Sequence, residues 1–383
     1  MNSEKRQNSI ALATVILFFG ILVIFACWFL FGKDKDFSAK ENRYLTTMPE
    51  ITAEKIFSGQ TSKDLEAYVN DQFPAREAWI ISRAAMQRAT LSADSNGVYF
   101  GDPLTDTFWT YDAERFHKNI SAVEAYALAA KDSGETVYFV PVPNDMAVNR
   151  EALPALAPDA DQQAMIHEME SIAPTVTLVD TLPALREAKA DAALYYGTDH
   201  HMTTAGSYVV YAELMKAMGI EPLAEADFTK VTVTDSFTGT LYNRSGAWWT
   251  APDKVERWDL REGGGAAEAT LTILPSGEKK DSIYNDAALS TTDAYQYFLY
   301  GNQPLEVIRT GAEGGKLLLV KDSYAHAVVP FLCGHFSEIH MVDLRYYHGS
   351  LKVYREEHGI DTTVVLYNIK NLTEDEDLPQ IIR

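Results

Sequence analysis

Lys316-Leu317-Leu318-Leu319-Val320-Lys321-Asp322-Ser323-Tyr324-Ala325-His326-Ala327 holds a continuous apolar run that changes at Asp322-Ser323 into a helix pattern continuing to Cys333. Such a run reads as a strand buried on both faces, the kind found in parallel sheets. Ser323 then stands where a strand end becomes a helix start.

The same alternation surrounds it. Upstream, a helix-like segment at 119–131 precedes an apolar run at 137–142, and one at 164–172 precedes 176–179. A further helix pattern at 182–190 leads to a strand-like 192–196, a short loop and a helix-like 203–218. Downstream, strand patterns at 338–343 and 363–367 flank a helix pattern at 351–358. Alternation of this kind predicts parallel strands covered by helices on both faces, with ligands beyond the carboxyl ends of the strands. Between 221 and 315 the pattern changes to short strand-like pieces, among them 270–274, 295–300 and 305–310, with many turn residues. The predicted fold class is therefore α/β, a parallel sheet flanked by helices, with a β-rich insertion at about 221–315.

The N-terminal third differs. Residues 10–31 carry no charge and are long enough to cross a hydrocarbon core, so one transmembrane helix is expected. A cleavable signal would have a shorter apolar region ending in small residues, whereas Trp28, Phe29, Leu30 and Phe31 continue this one; Ile24-Phe25-Ala26-Cys27 is a poor lipoprotein box because Phe25 is bulky. Lys5 and Arg6 on the short side are outnumbered by Lys33, Lys35, Lys40 and Arg43 on the long side, the reverse of a strict positive-inside count, although long domains translocate regardless of flanking charge. Residues 37–52 read as a polar stalk with apolar anchors. Ile56, Leu65, Tyr68, Val69, Phe73, Trp79, Ile80 and Met86 then predict two short helices around a turn at Pro74, and 96–101 has turn, strand and turn chemistry. The expected domains are a short cytoplasmic tail at 1–9, the membrane helix at 10–31, a stalk with docking helices at 32–95 and the α/β domain at 96–383.

Composition excludes several classes. With 383 residues, 46% hydrophobic, the chain can bury one large core or two smaller ones. A net charge of −21 leaves no basic stripe to release counterions from nucleic acid, and it repels anionic lipid. Two cysteines, Cys27 and Cys333, build neither a disulfide framework nor a Cys-rich zinc site.

The chemistry concentrates in the loop Thr198-Asp199-His200-His201-Met202. Asp199 and His201 are two apart, so on an extended backbone both side chains leave the same side and the carboxylate can orient the imidazole for general-base work. The stretch also fits half of a metal site using Asp199, His200 and His201, or a solvated turn with Thr203 as helix N-cap. Ser323 supplies the missing nucleophile, with helix-start amides and the helix dipole favouring an oxyanion, although serine at a helix start is also an ordinary cap. Together the three residues form an Asp, His, Ser set of the kind recognised by geometry rather than by chain order.

The sequence resembles the DHHW protein family of Gram-positive bacteria. The resemblance covers nearly the whole chain and rests on Phe37-Ser38 with Glu41-Asn42-Arg43-Tyr44-Leu45, on Asn96-Gly97-Val98-Tyr99-Phe100-Gly101, on Val140-Pro141-Val142-Pro143, on Thr198-Asp199-His200-His201, on Lys321-Asp322-Ser323-Tyr324 and on Asp343-Leu344-Arg345-Tyr346-Tyr347. The family's naming motif ends in Trp, where this chain has Met202; that changes a wall of the site and no titrating group. The resemblance implies an SGNH-hydrolase-like fold related to the alginate O-acetyltransferases of Gram-negative periplasm. It implies an exported, membrane-anchored enzyme that moves or removes acyl groups on sugar hydroxyls, with Asp199 as orienting acid, His201 as base and Ser323 as nucleophile. His200 falls on the variable middle position and is the alternative base. A cell-surface polysaccharide and a membrane-bound acyl exporter of the MBOAT type are the implied partners, and no cofactor is implied.

Around the triad, Asn144, Gly239, Asn243 and Arg244 are candidate oxyanion or substrate donors, each equally readable as a turn residue. Trp248 and Trp249 could stack on sugar or serve as core or rim aromatics. His326, three residues after Ser323, reads as a surface histidine, and Asp343 with Arg345 as a structural ion pair. An esterase with the same triad, a non-catalytic surface protein of the same fold and a metallohydrolase are the rival readings.

Overall fold

The computed structural model describes residues 2–38, 43–107, 109–131 and 134–383. Glu41 and Asn42 of the family resemblance, and Lys40 of the flanking-charge count, lie outside the described residues. The chain divides into two compact units, Met1–Met86 and Gln87–Arg383.

In the first unit, α1 (Asn2–Phe31) contains the candidate span Arg6–Phe31, whose length and most apolar 18-residue window, of mean hydropathy 2.9, suit a membrane crossing. Its Thr14 hydroxyl donates to the Ile10 carbonyl at 2.9 Å, which satisfies the side chain within the helix. Three helices follow where two were expected: α2 (Ala53–Phe57), α3 (Gln60–Gln72) and α4 (Arg76–Ala89). The Thr52 side chain caps α2, and Gly59, at φ 77°, makes the left-handed step that separates α2 from α3. The turn at Pro74 falls between α3 and α4, as expected.

The second unit is built on an eight-stranded sheet. Five parallel strands run in the order Glu338–Val342, Lys316–Lys321, Thr362–Asn368, Thr136–Val142 and Thr177–Leu178. Leu317, Leu318, Leu319 and Val320 are wholly buried, as a central strand requires. The expected insertion is partly absorbed into this sheet. Leu305–Arg309, Thr270–Leu274 and Glu278–Lys280 extend its edge as antiparallel strands. A separate hairpin, Phe228–Phe237 with Asp253–Leu260, carries the short helix Thr240–Ser245 between its strands.

Helices cover the sheet through faces spaced three and four residues apart. Ala113–Lys131 buries Phe116, Ile120, Val123, Ala127 and Ala130, and begins six residues before the expected 119 because the Asp112 carboxylate accepts from the Glu114 and Arg115 amides. Thr204–Ala217 matches the expected 203–218, with Thr203 as its N-cap.

Three local expectations fail. Residues 192–196 add no strand to the sheet: Tyr195 makes an isolated bridge to Met202, the Thr203 amide donates to Leu194 O at 2.9 Å, and Tyr196 donates to His201 O at 3.1 Å. The helix start presses on this segment so closely that a Cβ on Gly206 would lie 2.1 Å from Leu194 O, so these backbone groups are used locally. Residues 295–300 form a 3-10 turn, Ala294–Tyr297, followed by Leu299 and Tyr300 at positive φ, which cannot extend as strand. After Ser323 the chain makes a 3-10 turn, Ser323–Ala325, and a four-residue helix, Val329–Leu332 with Pro at its start, in place of one helix to Cys333. A long helix dipole at Ser323 is therefore absent.

Candidate active site

The loop carrying Asp199 is held from the hairpin. Asp253, at the start of its strand, accepts from the Gly197 amide at 2.8 Å, the Thr198 amide at 2.8 Å and the Thr198 hydroxyl. Thr198 in turn accepts from the Gly239 amide at 3.1 Å through its hydroxyl and from the Tyr242 amide at 3.0 Å through its carbonyl. A buried threonine with every polar atom engaged fixes the backbone on which Asp199 follows.

Asp199 is almost fully buried and accepts four hydrogen bonds. The His201 amide (3.0 Å) and ring Nδ1 (2.6 Å) reach Oδ1, and the Thr240 amide (2.7 Å) and hydroxyl (3.0 Å) reach Oδ2. Burial alone would raise its pKa, but the His200 and His201 rings and these donors outweigh it and hold the carboxyl well below the usual carboxylate range. With Nδ1 donating to Asp199, Nε2 is the accepting nitrogen, and it lies 2.8 Å from Ser323 Oγ. Asp199, His201 and Ser323 thus form one hydrogen-bonded line, its last step joining residues 122 apart in the chain.

Ser323 is positioned by its buried neighbour Asp322. That carboxylate accepts from the Tyr324 amide (2.9 Å), the Asn368 amide (2.7 Å) and Asn371 Nδ2 (2.8 Å), tying the turn to the end of the adjacent strand Thr362–Asn368. The tie holds the Oγ beyond the sheet. The Ser323 amide makes no hydrogen bond among the described residues.

Each remaining expectation has a place. His200 Nδ1 pairs with Thr240 Oγ1 at 2.7 Å, and its carbonyl accepts from Tyr324 OH at 2.6 Å. Desolvation, then the neighbouring His201, lowers the His200 pKa, which favours a neutral ring. Gly239 uses its amide on Thr198 and serves by lacking a side chain: a Cβ there would lie 2.2 Å from the Asp199 carboxylate. Asn243 Nδ2 donates to Gly239 O at 2.9 Å, and Arg244 pairs with Asp106 and the Gly97 carbonyl. Asn144 lines a small pocket with Thr105, Asp106, Asp145, His200 and Leu241, and its buried Oδ1 has no hydrogen-bond partner among the described residues. Trp249 packs edge-on against Phe100 and under Arg88, whereas Trp248 is exposed.

His326 corrects the surface reading. It is buried, with Nε2 2.8 Å from Lys321 Nζ, because the turn after Ser323 folds it back under the sheet end. Burial, then the Lys321 charge, pushes its pKa well down. Asp343 and Arg345 form the expected ion pair, Nε to Oδ1 at 2.8 Å and Nη2 to Oδ2 at 2.6 Å, which also receives Lys321 at 3.4 Å.

Sequence reasoning did not single out Thr240, Asp253 or Tyr295, and it quoted Asp322 without giving it a part. Tyr295 lies in the segment expected to be a strand, and no local pattern marks it. Asp199, His200 and His201 could also offer three ligand atoms within 4.8 Å of one another. A cation there would have to displace the proton that His201 Nδ1 shares with Asp199.

Residues 104–272 match the family model for the SGNH hydrolase-like domain of acetyltransferase AlgX. The fold is SGNH hydrolase-like. The matched stretch contains Asp199 and His201 and ends before Ser323. Among solved structures, a DHHW family protein from Eubacterium siraeum is similar with 22% identity and a TM-score of 0.64, over 75% of this chain and 95% of that one. Bacillus cereus PatB1 with a sulfonyl adduct is similar with 20% identity and a TM-score of 0.61, over 75% of this chain and 100% of that one. No curated protein matches by sequence. The SGNH-like fold and the DHHW likeness expected from the motifs are both met.

Proposed function

We propose that the chain is a serine-dependent O-acyltransferase of the cell envelope that moves an acyl group, acetyl in the simplest case, onto a polysaccharide hydroxyl. The observation that carries this reading is the line from Asp199 through His201 to Ser323, with spacings of 2.6 and 2.8 Å. His201 Nε2 takes the Ser323 proton as Oγ attacks the donor's carbonyl carbon. The tetrahedral oxyanion collapses to acyl-Ser323, and the leaving group departs with the proton from His201. An acceptor hydroxyl then gives its proton to Nε2 and attacks the ester; the tetrahedral adduct collapses, and the departing Ser323 Oγ takes that proton back from His201. Asp199 stabilises the imidazolium in both steps, and the Ser323 amide is the first oxyanion donor. Water in place of the sugar hydroxyl would make the same site an esterase.

The length and apolarity of α1 support a membrane anchor, and the family resemblance suggests that the C-terminal body lies outside. A membrane-bound acyl exporter of the MBOAT type is the partner expected from the family resemblance.

The test uses the full chain in detergent. A sulfonyl fluoride, chosen because PatB1 is described with a sulfonyl adduct, should add its sulfonyl group to Ser323, read by peptide mass. Chromogenic acetyl ester turnover should vanish in Ser323→Ala and survive a chelator, and added oligosaccharide acceptor should gain the acetyl group. Turnover lost to the chelator but kept in Ser323→Ala would favour the metal reading. An intact folded protein with neither turnover nor adduct would favour the non-catalytic one.

A further inference from the structure

The aromatic end of α1 is not left bare within its own unit. Phe25 stacks on Phe73, with centroids 6.0 Å apart and planes 11° from parallel, and meets Trp79 at 6.0 Å. Phe73 and Trp79 meet each other at 6.3 Å, so the three rings form one cluster. Phe73 follows the last residue of α3 and Trp79 lies in the first turn of α4; the cluster therefore belongs to the turn around Pro74.

Its depth follows from helix geometry. Phe25 precedes the end of α1 at Phe31 by six residues and the first charged residue, Lys33, by eight. At the helical rise these separations are about 9 and 12 Å along the axis. Rings whose centroids lie 6.0 Å from that of Phe25 are therefore below the level of Lys33. At that depth beside a membrane helix the surroundings are headgroups and upper acyl chains.

The turn presents the surface such surroundings require. Val69, Phe73, Trp79 and Ile81 stay 40 to 52% exposed although all are apolar. The Trp79 indole donates to the Pro74 carbonyl at 3.2 Å, so it does not depend on water for its N–H. Nearer the charged level, Tyr68 meets Phe29 edge to face at 5.7 Å and donates its hydroxyl to Asp34 Oδ1 at 3.0 Å, its apolar body against the helix and its polar tip towards the charged residues.

We propose that the α3–α4 turn is a membrane-interface element, with Val69, Phe73, Trp79 and Ile81 resting at the headgroup–acyl boundary of the bilayer that α1 spans, on the side of its carboxyl end. The proposal rests on α1 remaining in the membrane. Lipid is the occupant the geometry commits to, because the rings are fixed at their depth by a helix that is itself in lipid.

The full chain in phosphatidylcholine nanodiscs provides the test, with bromine on the acyl chains at positions 6,7 or 11,12 as a short-range quencher of tryptophan emission. Trp28 and Trp79 are the tryptophans of the first unit. In Trp28→Phe, the shallow bromolipid should quench a component of the emission more than the deep one, and adding Trp79→Phe should abolish that component. Equal emission in both lipids and in unbrominated discs would overturn the proposal. The Trp79→Phe protein reports on Trp28: quenching there with none at Trp79 sinks the interface element alone, and quenching at neither removes the anchor as well.

Discussion

The phenol ring of Tyr295 lies flat on the imidazole of His201, with centroids 3.7 Å apart and planes 7° from parallel. The His326 ring lies nearly parallel to the same ring, with centroids 6.2 Å apart. Asp199 fixes one edge of the imidazole, and Tyr295 fixes its plane. An imidazolium forming during proton transfer would also lie over an aromatic face, worth on the order of 1 kcal/mol. Tyr295→Phe should therefore hold kcat within a few-fold, and Tyr295→Leu should lower it about tenfold with little change in KM. Equal losses in both variants would point to the hydroxyl instead.

The two histidines of the loop should separate cleanly. His201 reaches Ser323 Oγ, while His200 is turned to Thr240. His201→Ala should reduce sulfonylation of Ser323 and ester turnover by roughly 1,000-fold or more, the scale of losing a general base. His200→Gln should retain most of both, read by stopped assays of the purified variants. The opposite ranking would move the base to His200.

Gly239→Ala tests the packing behind the carboxylate. Gly239 has an ordinary extended backbone at φ −95°, so the objection to a side chain there is steric: the methyl would meet Asp199 at 2.2 Å. Asp199 is held by four hydrogen bonds and cannot yield without turning His201. A displacement of that order should cost roughly 100-fold in kcat, with circular dichroism confirming that the variant stays folded. Unchanged turnover would show that the carboxylate can move without consequence.

Glu306 predicts a pH dependence of stability. Its carboxyl is wholly buried with neither oxygen hydrogen-bonded among the described residues, and burial, only partly offset by Lys321, pushes its pKa from 4.5 up to about 8. Between those values the unfolded chain releases the proton and the folded chain keeps it, so this group lowers stability as pH rises from about 4.5 to about 8. Glu306→Gln removes the dependence. Its gain in Tm over the parent should be small at pH 4.5 and grow towards pH 8; parallel melting curves across that range would refute the assignment.

Much of the fold is legible from local pattern. Leu317 to Val320 read as a buried strand because a strand covered on both faces has no polar positions, and Ala113–Lys131 shows its face through three- and four-residue spacing. The start of that helix was misread because Asp112 acts through a cap rather than through periodicity. Residues 192–196 and 295–300 look like strands because aromatic and apolar residues suit a strand and a buried turn equally well. Local backbone pairing to His201 and Thr203 in the first, and positive φ at Leu299 and Tyr300 in the second, decided between them.

On its own, the sequence determined that a strand-rich, helix-covered body follows an apolar helix, and that an acid and an imidazole leave one loop two residues apart. Those properties depend on residues close along the chain, where spacing dictates geometry. Only the tertiary structure brought Ser323 to 2.8 Å from His201, put Tyr295 on the ring, buried His326 and left Gly239 as bare space for Asp199. Ser323 and His201, Tyr295 and His201, and Gly239 and Asp199 are separated by 40 to 122 residues. Their meeting is set by how sheet, hairpin and loop pack together, which no spacing of residue types encodes.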